Sequence, residues 1–213
     1  MPDSGPAAHE ADSGWSGYYE ITAGRPPRRT TLTALAELPV ASGPLPAHAV
    51  DLGCGGGRDT APLLEAGCTV LALDRAIEAG TVLQDRFPAA WDCGQLTFRR
   101  ADFARDGLDL PSTCLVNASF CLPACPPDRF GGLWSQIART IVPGGLFAGH
   151  LFGPNDSWAQ RGNSLSFHDR GDVDALVAGW EPLLVEEEET DSVTPRGEAK
   201  HWHIFHIVAR KPA

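Results

Sequence analysis

The sequence predicts a three-layer α/β fold: a mostly parallel sheet of seven strands, flanked by helices and closed by an antiparallel hairpin. Three observations carry this expectation. Short apolar segments alternate with helix-length segments from Ala47 to Ala178, the spacing of strand–helix–strand units. The last two strand-like segments, 181–188 and 201–210, have no helix-length sequence between them, so they should pair antiparallel. Between the first strand and its helix, Asp51-Leu52-Gly53-Cys54-Gly55-Gly56-Gly57 forms a glycine-rich turn of the kind that binds ligands at strand ends.

Taken in order, residues 1–13 are polar, acidic and rich in Pro, Gly and Ala, and read as a disordered tail. They lack the basic-then-apolar order of a secretory signal. Residues 14–213 read as one domain. It opens on an aromatic cluster, Trp15, Tyr18, Tyr19 and Ile21, followed by Gly24-Arg25-Pro26-Pro27-Arg28-Arg29. Thr30 or Thr31 then caps a helix through Leu38, whose Leu32, Leu35 and Leu38 share a face. This N-terminal segment either packs on the domain or serves as a lid, and the two roles are compatible.

Strands follow at 47–52, 68–74, 96–101, 113–118 and 146–152. Helices are expected at 59–66, 76–87, 128–141 and 171–178, with a turn at 88–94. Asp59 or Thr60 can cap the first of these. Pro143-Gly144-Gly145 should stop the 128–141 helix, and Glu186 to Glu189 reads as a solvated strand end and turn.

Composition narrows the partners. Net charge is −10 and the isoelectric point about 5.0, which argues against nucleic acid or an anionic membrane as a default partner. No run of about 18 apolar residues is present. The six cysteines, at 54, 68, 93, 114, 121 and 125, read as reduced thiols of a cytoplasmic protein. Cys121 and Cys125 have no Cys or His partners at zinc spacing.

In the expected fold the strand ends bring Gly53–Gly57, Asp74, Asp102 and 117–120 around one crevice. A dinucleotide fingerprint would need glycine at position 58, where Arg58 stands, and no Gly-Lys-Ser/Thr follows for a P-loop. The acid-then-glycines pattern VDLGCGGGRDT resembles the first motif of the class I S-adenosylmethionine-dependent methyltransferases. VLALDRA resembles their second motif, RRADF the segment near the adenine, and NASFCLP the fourth motif beside the reactive methyl. The resemblance runs from about Trp15 to Pro212. Within the class, GRPPR and the closing HWHIFHIVARK are most similar to the small tellurite-resistance-like group.

The resemblance implies a Rossmann-like methyltransferase fold, S-adenosyl-L-methionine as cofactor with S-adenosyl-L-homocysteine as product, and a small-molecule acceptor (thiol, metalloid, hydroxyl or amine). It places Asp51, Gly53, Gly55, Gly57, Asp74, Arg75, Asp102, Phe103 and Asn117 around the cofactor. Asp74 would accept from the ribose hydroxyls and Asp102 from the adenine amino group; Arg25 would pair with the cofactor carboxylate. Asn117, His150 and His168 are the catalytic candidates, and Phe120, Trp158 and Tyr19 the acceptor-site candidates. His201 and His203 share one strand face and His206 the other, so they form no metal triad. No acidic metal set of the catechol-type enzymes is evident, so transfer is expected to be metal-independent. Two other readings stay open: a cofactor-binding protein of the same fold without methyl transfer, and a non-methylating, cyclase-type enzyme.

Overall fold

A computed structural model describes residues 15–38, 47–102, 105, 107–161 and 165–213. The expected 1–13 tail and Phe103 lie outside the described residues. Strands β1 (His48–Leu52), β2 (Thr69–Asp74), β3 (Leu96–Arg100), β4 (Thr113–Ala118), β5 (Ile141–Phe152), β6 (Glu181–Val193) and β7 (Ala199–Arg210) form one sheet. Its order is β3-β2-β1-β4-β5-β7-β6. β1 to β5 pair in parallel, and β7 runs antiparallel between β5 and β6. The seven-stranded, mostly parallel sheet and its antiparallel hairpin are as the sequence predicts.

The helices are α1 (Trp15–Thr22), α2 (Arg29–Glu37), α3 (Thr60–Glu65), α4 (Glu78–Arg86), α5 (Pro88–Asp92), α6 (Pro127–Thr140) and α7 (Arg170–Leu176). Helix α6 shows why the outer layers form. Proline at its first turn needs no intrahelical donor, Asp128 and Arg139 complement the two ends of the helix dipole, and Phe130, Leu133, Trp134 and Ile137 recur on one buried face. That face packs with Phe147, Phe205 and Ile207 on one side of the sheet. The other side joins Ala49, Val70, Leu146 and Val208 to Ala34 of α2, Leu63 of α3, Leu83 of α4 and Tyr19 of α1.

Several expectations are corrected. The aromatic cluster is itself a helix, α1, and the expected turn at 88–94 contains α5, whose Pro88 suits a first helical turn. β5 begins at Ile141 instead of 146. Its pairing slips between Thr113↔Ile141 and Leu115↔Leu146, so Pro143-Gly144-Gly145 bulges out of a strand already begun. The capping expectations also fail. Arg28 is the N-cap of α2 and Asp59 that of α3, neither with a side-chain capping bond. The Asp59 carboxylate accepts instead from the Arg28 backbone N–H at 2.8 Å, which ties the two helix starts together. Glu186–Glu189 lie in the middle of β6, each paired with β7, and not at a turn.

Candidate cofactor and acceptor site

Strand order reverses between β1 and β4, and in open α/β sheets ligands bind beyond the strand ends at that point. The glycine turn sits there. Gly53 has φ 64°, and a Cβ on it would stand 2.4 Å from Cys121 Cβ. Gly57 has φ 77°, and its Cβ would strike Leu83 Cδ2 at 2.5 Å. Both positions therefore require glycine on conformation and on space. Asp74, at the end of β2, holds the turn from the side. Its Oδ2 accepts from Gly55 N–H at 2.9 Å and its Oδ1 from Ala76 N–H at 3.0 Å. Burial raises the Asp74 pKa, and these two backbone donors and Arg75 oppose the rise.

Beneath the turn lies a buried polar network. Asp51 is 1% exposed. Its Oδ1 accepts from Asn117 Nδ2 at 2.8 Å and its Oδ2 from the Thr60 hydroxyl at 2.6 Å. Asn117 Oδ1 in turn accepts from Thr31 of α2 at 3.0 Å and from Ser119 at 3.3 Å. Burial pushes the Asp51 pKa up to about 7, the Asp59 charge adds to this, and the Thr60 and Asn117 donors resist it. Asn117 is fully buried with both ends of its amide engaged, so it supports the turn from below and does not face the crevice.

Helix α1 covers the turn from above. The Tyr19 ring would lie 3.3 Å from a Cβ on Gly55. Its hydroxyl is buried without a hydrogen-bond partner, and its pKa is raised by burial and then by the Asp74 charge. Tyr19, expected at the acceptor wall, is thus placed against the glycine turn. An orphaned hydroxyl close to Asp74, above the Gly55 that Asp74 holds, fits a polar ligand lying along the turn. Arg75 is exposed and stacks on Trp15 at 5.1 Å. Asp102 follows β3, next to the Asp74 strand end, 3.7 Å from Arg105 Nε. Arg25 lies exposed in the connection between α1 and α2.

On the β4–β5 side an aromatic wall stands where the acceptor is expected. Phe120 stacks on His150, centroids 4.1 Å apart at 20°, and the Arg28 guanidinium covers its other face at 4.1 Å. Phe152 and Trp202 adjoin the Phe120 ring, and Trp158 adjoins both of them. His150 is 2% exposed, its Nδ1 lacks a partner, and burial, then the Arg28 and His206 charges, hold its pKa well below the usual histidine value. Burial and the Arg58 charge also lower Arg28, to about 10. His168 is not in this stack. It leans on Phe130 of α6 at 4.2 Å, with a pKa lowered by burial. Behind Trp158, Lys200 forms a buried ion pair with Asp156 and lies 3.9 Å from the Trp158 ring and 4.4 Å from Trp202.

Arg28, Thr31, Thr60, Trp202 and the Lys200–Asp156 pair are site residues that the sequence reading passed over. Paired threonines at helix starts were the available signal for Thr31, and a lysine inside the apolar-aromatic run of β7 the signal for Lys200.

Comparison with known proteins agrees with this geometry. The protein-family profile for a methyltransferase domain matches residues 49–145. A Synechocystis sp. protein described as an uncharacterised methyltransferase is 31% identical over 105 residues, spanning 46% of this chain and 44% of its own. The chain thus spans less than half the length of the curated relative it matches. Among solved structures, TehB from Haemophilus influenzae superposes with a TM-score of 0.70 at 16% identity, over 94% of this chain and 66% of its own. Magnesium protoporphyrin IX methyltransferase from Synechocystis, solved with S-adenosylhomocysteine, gives 0.61 at 18% identity over 93% and 94%. Burkholderia thailandensis 1,6-didemethyltoxoflavin-N1-methyltransferase gives 0.57 at 21% identity over 100% and 93%. By its sheet order and its glycine turn the chain has the fold of the class I methyltransferases, and residues 49–145 within it match the methyltransferase domain.

Proposed function

We propose that the chain binds S-adenosylmethionine along the Gly53–Gly57 turn and directs its methyl group to a small-molecule acceptor at the Phe120–His150 wall. The observation that carries this reading is the cradle itself: Asp74 bonded to the turn, with the unpartnered Tyr19 hydroxyl beside it. The cofactor supplies an already activated methyl on a sulfonium, so the protein must align, desolvate and manage a proton.

Each residue then has a task. Asp74 accepts from the ribose hydroxyls, and Tyr19 supplies a hydroxyl donor above the turn. Asp102, after β3, would accept from the adenine amino group, and Arg25, on its exposed loop, would pair with the cofactor carboxylate. Asn117 is a positioning residue: it joins Asp51 under the turn to Thr31 of the covering helix. His150, held neutral, can accept a proton from an acceptor hydroxyl, thiol or amine. Phe120, Phe152 and Trp158 exclude water, while α1 and α2 act as the roof of one domain. His168, packed on α6, acts on the acceptor only through the loop it anchors.

The named neighbours favour a small molecule, since two of them carry a porphyrin and a toxoflavin precursor in their names. The acidic charge and the six cysteines, free among the described residues, fit a cytoplasmic setting and argue against a nucleic-acid acceptor. The transfer step needs no metal.

Calorimetric titration with S-adenosylhomocysteine tests the cofactor half. Mass spectrometry of products from a thiol, phenol, amine and metalloid panel tests the rest. Binding together with one added methylene unit supports the proposal. Binding without any methylated product points to a non-transferring binder, and a rearranged product without added mass points to a cyclase. Absence of binding overturns the reading.

A further inference from the structure

The β6–β7 hairpin carries a cluster that the methyl-transfer site does not use. Alternation along the two strands puts Glu187, Glu189 and Asp191 on one face with His201 and His203. Trp202 and His206 turn to the opposite face, toward Phe120 and His150. The five side chains alternate acid and imidazole. Glu187 Oε1 lies 2.9 Å from His203 Nε2, and His203 Nδ1 lies 3.4 Å from Glu189 Oε1. Glu189 Oε2 then lies 3.5 Å from His201 Nε2, whose Nδ1 meets Asp191 at 2.8 Å.

The hydrogen bonds fix how the His203 ring is oriented between the two carboxylates. Asn155 N–H already donates to His203 Nδ1 at 3.2 Å, so the single ring proton sits on Nε2 and serves Glu187. Glu189 then faces an acceptor nitrogen. Two carboxylates converge on a ring that is 3% exposed, and Glu189 Oε1 is completed by the Asn155 side-chain amide. Donor atoms of Glu187, Glu189 and His203 all fall within 4.8 Å of one another, and rotation of the two exposed glutamate side chains brings them to the roughly 3.4 Å spacing that ligands at about 2.1 Å from one ion adopt. The ring is also held in place, since a Cβ on Gly153 would sit 2.3 Å from it.

We propose that Glu187, Glu189 and His203, with water completing the shell, bind one divalent transition-metal ion of the zinc type on this face of the hairpin. Imidazole with carboxylate ligands selects such an ion over magnesium or calcium. The ion would fasten β6 and β7 to the segment after β5, because Asn155 Nδ2 donates to Glu189 at 2.7 Å. That segment leads to Asp156 and Trp158 of the acceptor wall, so metal would stiffen the wall without entering the chemistry.

The test is calorimetric titration of zinc chloride into EDTA-dialysed, tag-free, full-length protein, with magnesium chloride as control. One equivalent of zinc in the micromolar range is expected, weakened at least about tenfold by Glu189→Gln, with no magnesium binding. Glu189 is exposed, so the variant should fold, which its circular dichroism and melting curve check. Cobalt spectra of the same protein should show visible ligand-field bands without thiolate charge transfer. Absence of zinc binding, an unchanged affinity in Glu189→Gln, or thiolate bands assigning the ion to cysteine would each overturn the site. None of these outcomes bears on cofactor binding at the glycine turn.

Discussion

Phe120 is held face to face with His150 while Arg28 closes its other side, and it is the one non-glycine residue among those described with positive φ, at 59°. A left-handed phenylalanine costs about 1–3 kcal/mol and persists where its surroundings over-determine it. Here the two flanking groups do so. His150→Phe would keep the stack and remove the proton acceptor. We expect unchanged folding, cofactor affinity within about twofold, and a kcat lowered by about 10²-fold or more for hydroxyl or amine acceptors. An unaltered kcat with such acceptors would exclude His150 as base.

Asp74 touches the turn through two backbone donors, so its loss acts on the turn as well as on the ligand. Asp74→Asn should weaken S-adenosylhomocysteine binding by about 10- to 100-fold, the range of a lost bond to a charged acceptor. Calorimetry reads this directly, and a smaller loss than in Asp102→Asn would transfer the leading role to Asp102.

Asp51 predicts a pH effect on stability. Its folded pKa, raised to about 7 from 3.8, means the folded chain holds this proton more tightly than the unfolded chain. The resulting stabilisation is complete below about pH 4 and is lost as pH rises through about 7. Wild-type urea midpoints should therefore fall between pH 5 and pH 8 by more than those of Asp51→Asn, which resembles the protonated acid. Parallel pH dependence in the two proteins would contradict the assignment. Asp74, shifted the same way, contributes to the background that both share.

Lys200 and Asp156 are 4% and 1% exposed and face each other beneath Trp158. Removing one charge strands the other. Lys200→Met should cost about 3–5 kcal/mol, and Asp156→Asn added to it should restore part of that. Denaturant unfolding of the two single variants and the double variant measures the coupling; additive losses would mean the pair is not acting as one unit.

The parallel core was legible in the sequence because β1, β2 and β4 are buried on both faces and read as short apolar runs. The strand-end rule then brings out Gly53–Gly57, Asp74, Asp102 and Asn117 without any contact information. Helix α1 was hidden because WSGYYEIT joins glycine to aromatic and β-branched residues of modest helix propensity. Its support is tertiary: Tyr19 lies against Gly55 and Gly56, and Trp15 against Arg75. Thr31, Asp59 and Thr60 have the residue types of helix caps, yet each side chain reaches a partner elsewhere in the fold. Arg28 looked equivalent to Arg25 in the GRPPRR segment. Only the packing of α2 beside Phe120 separates them.

Helix α2 is sewn to three strands of the sheet, Thr31 to Asn117 of β4, Glu37 to Arg210 of β7 and Arg29 to Glu186 of β6, and the Arg28 N–H at its start ties it to Asp59 of α3. The unit that folds is therefore wider than the segment that sequence comparison detects at 49–145. A fragment trimmed to that segment would lose Thr31, which bonds to Asn117 beneath the glycine turn, and the hairpin that completes its sheet. Deletion mapping, domain grafting and the choice of tag position should respect the stitched boundary, which reaches from α1 to Arg210.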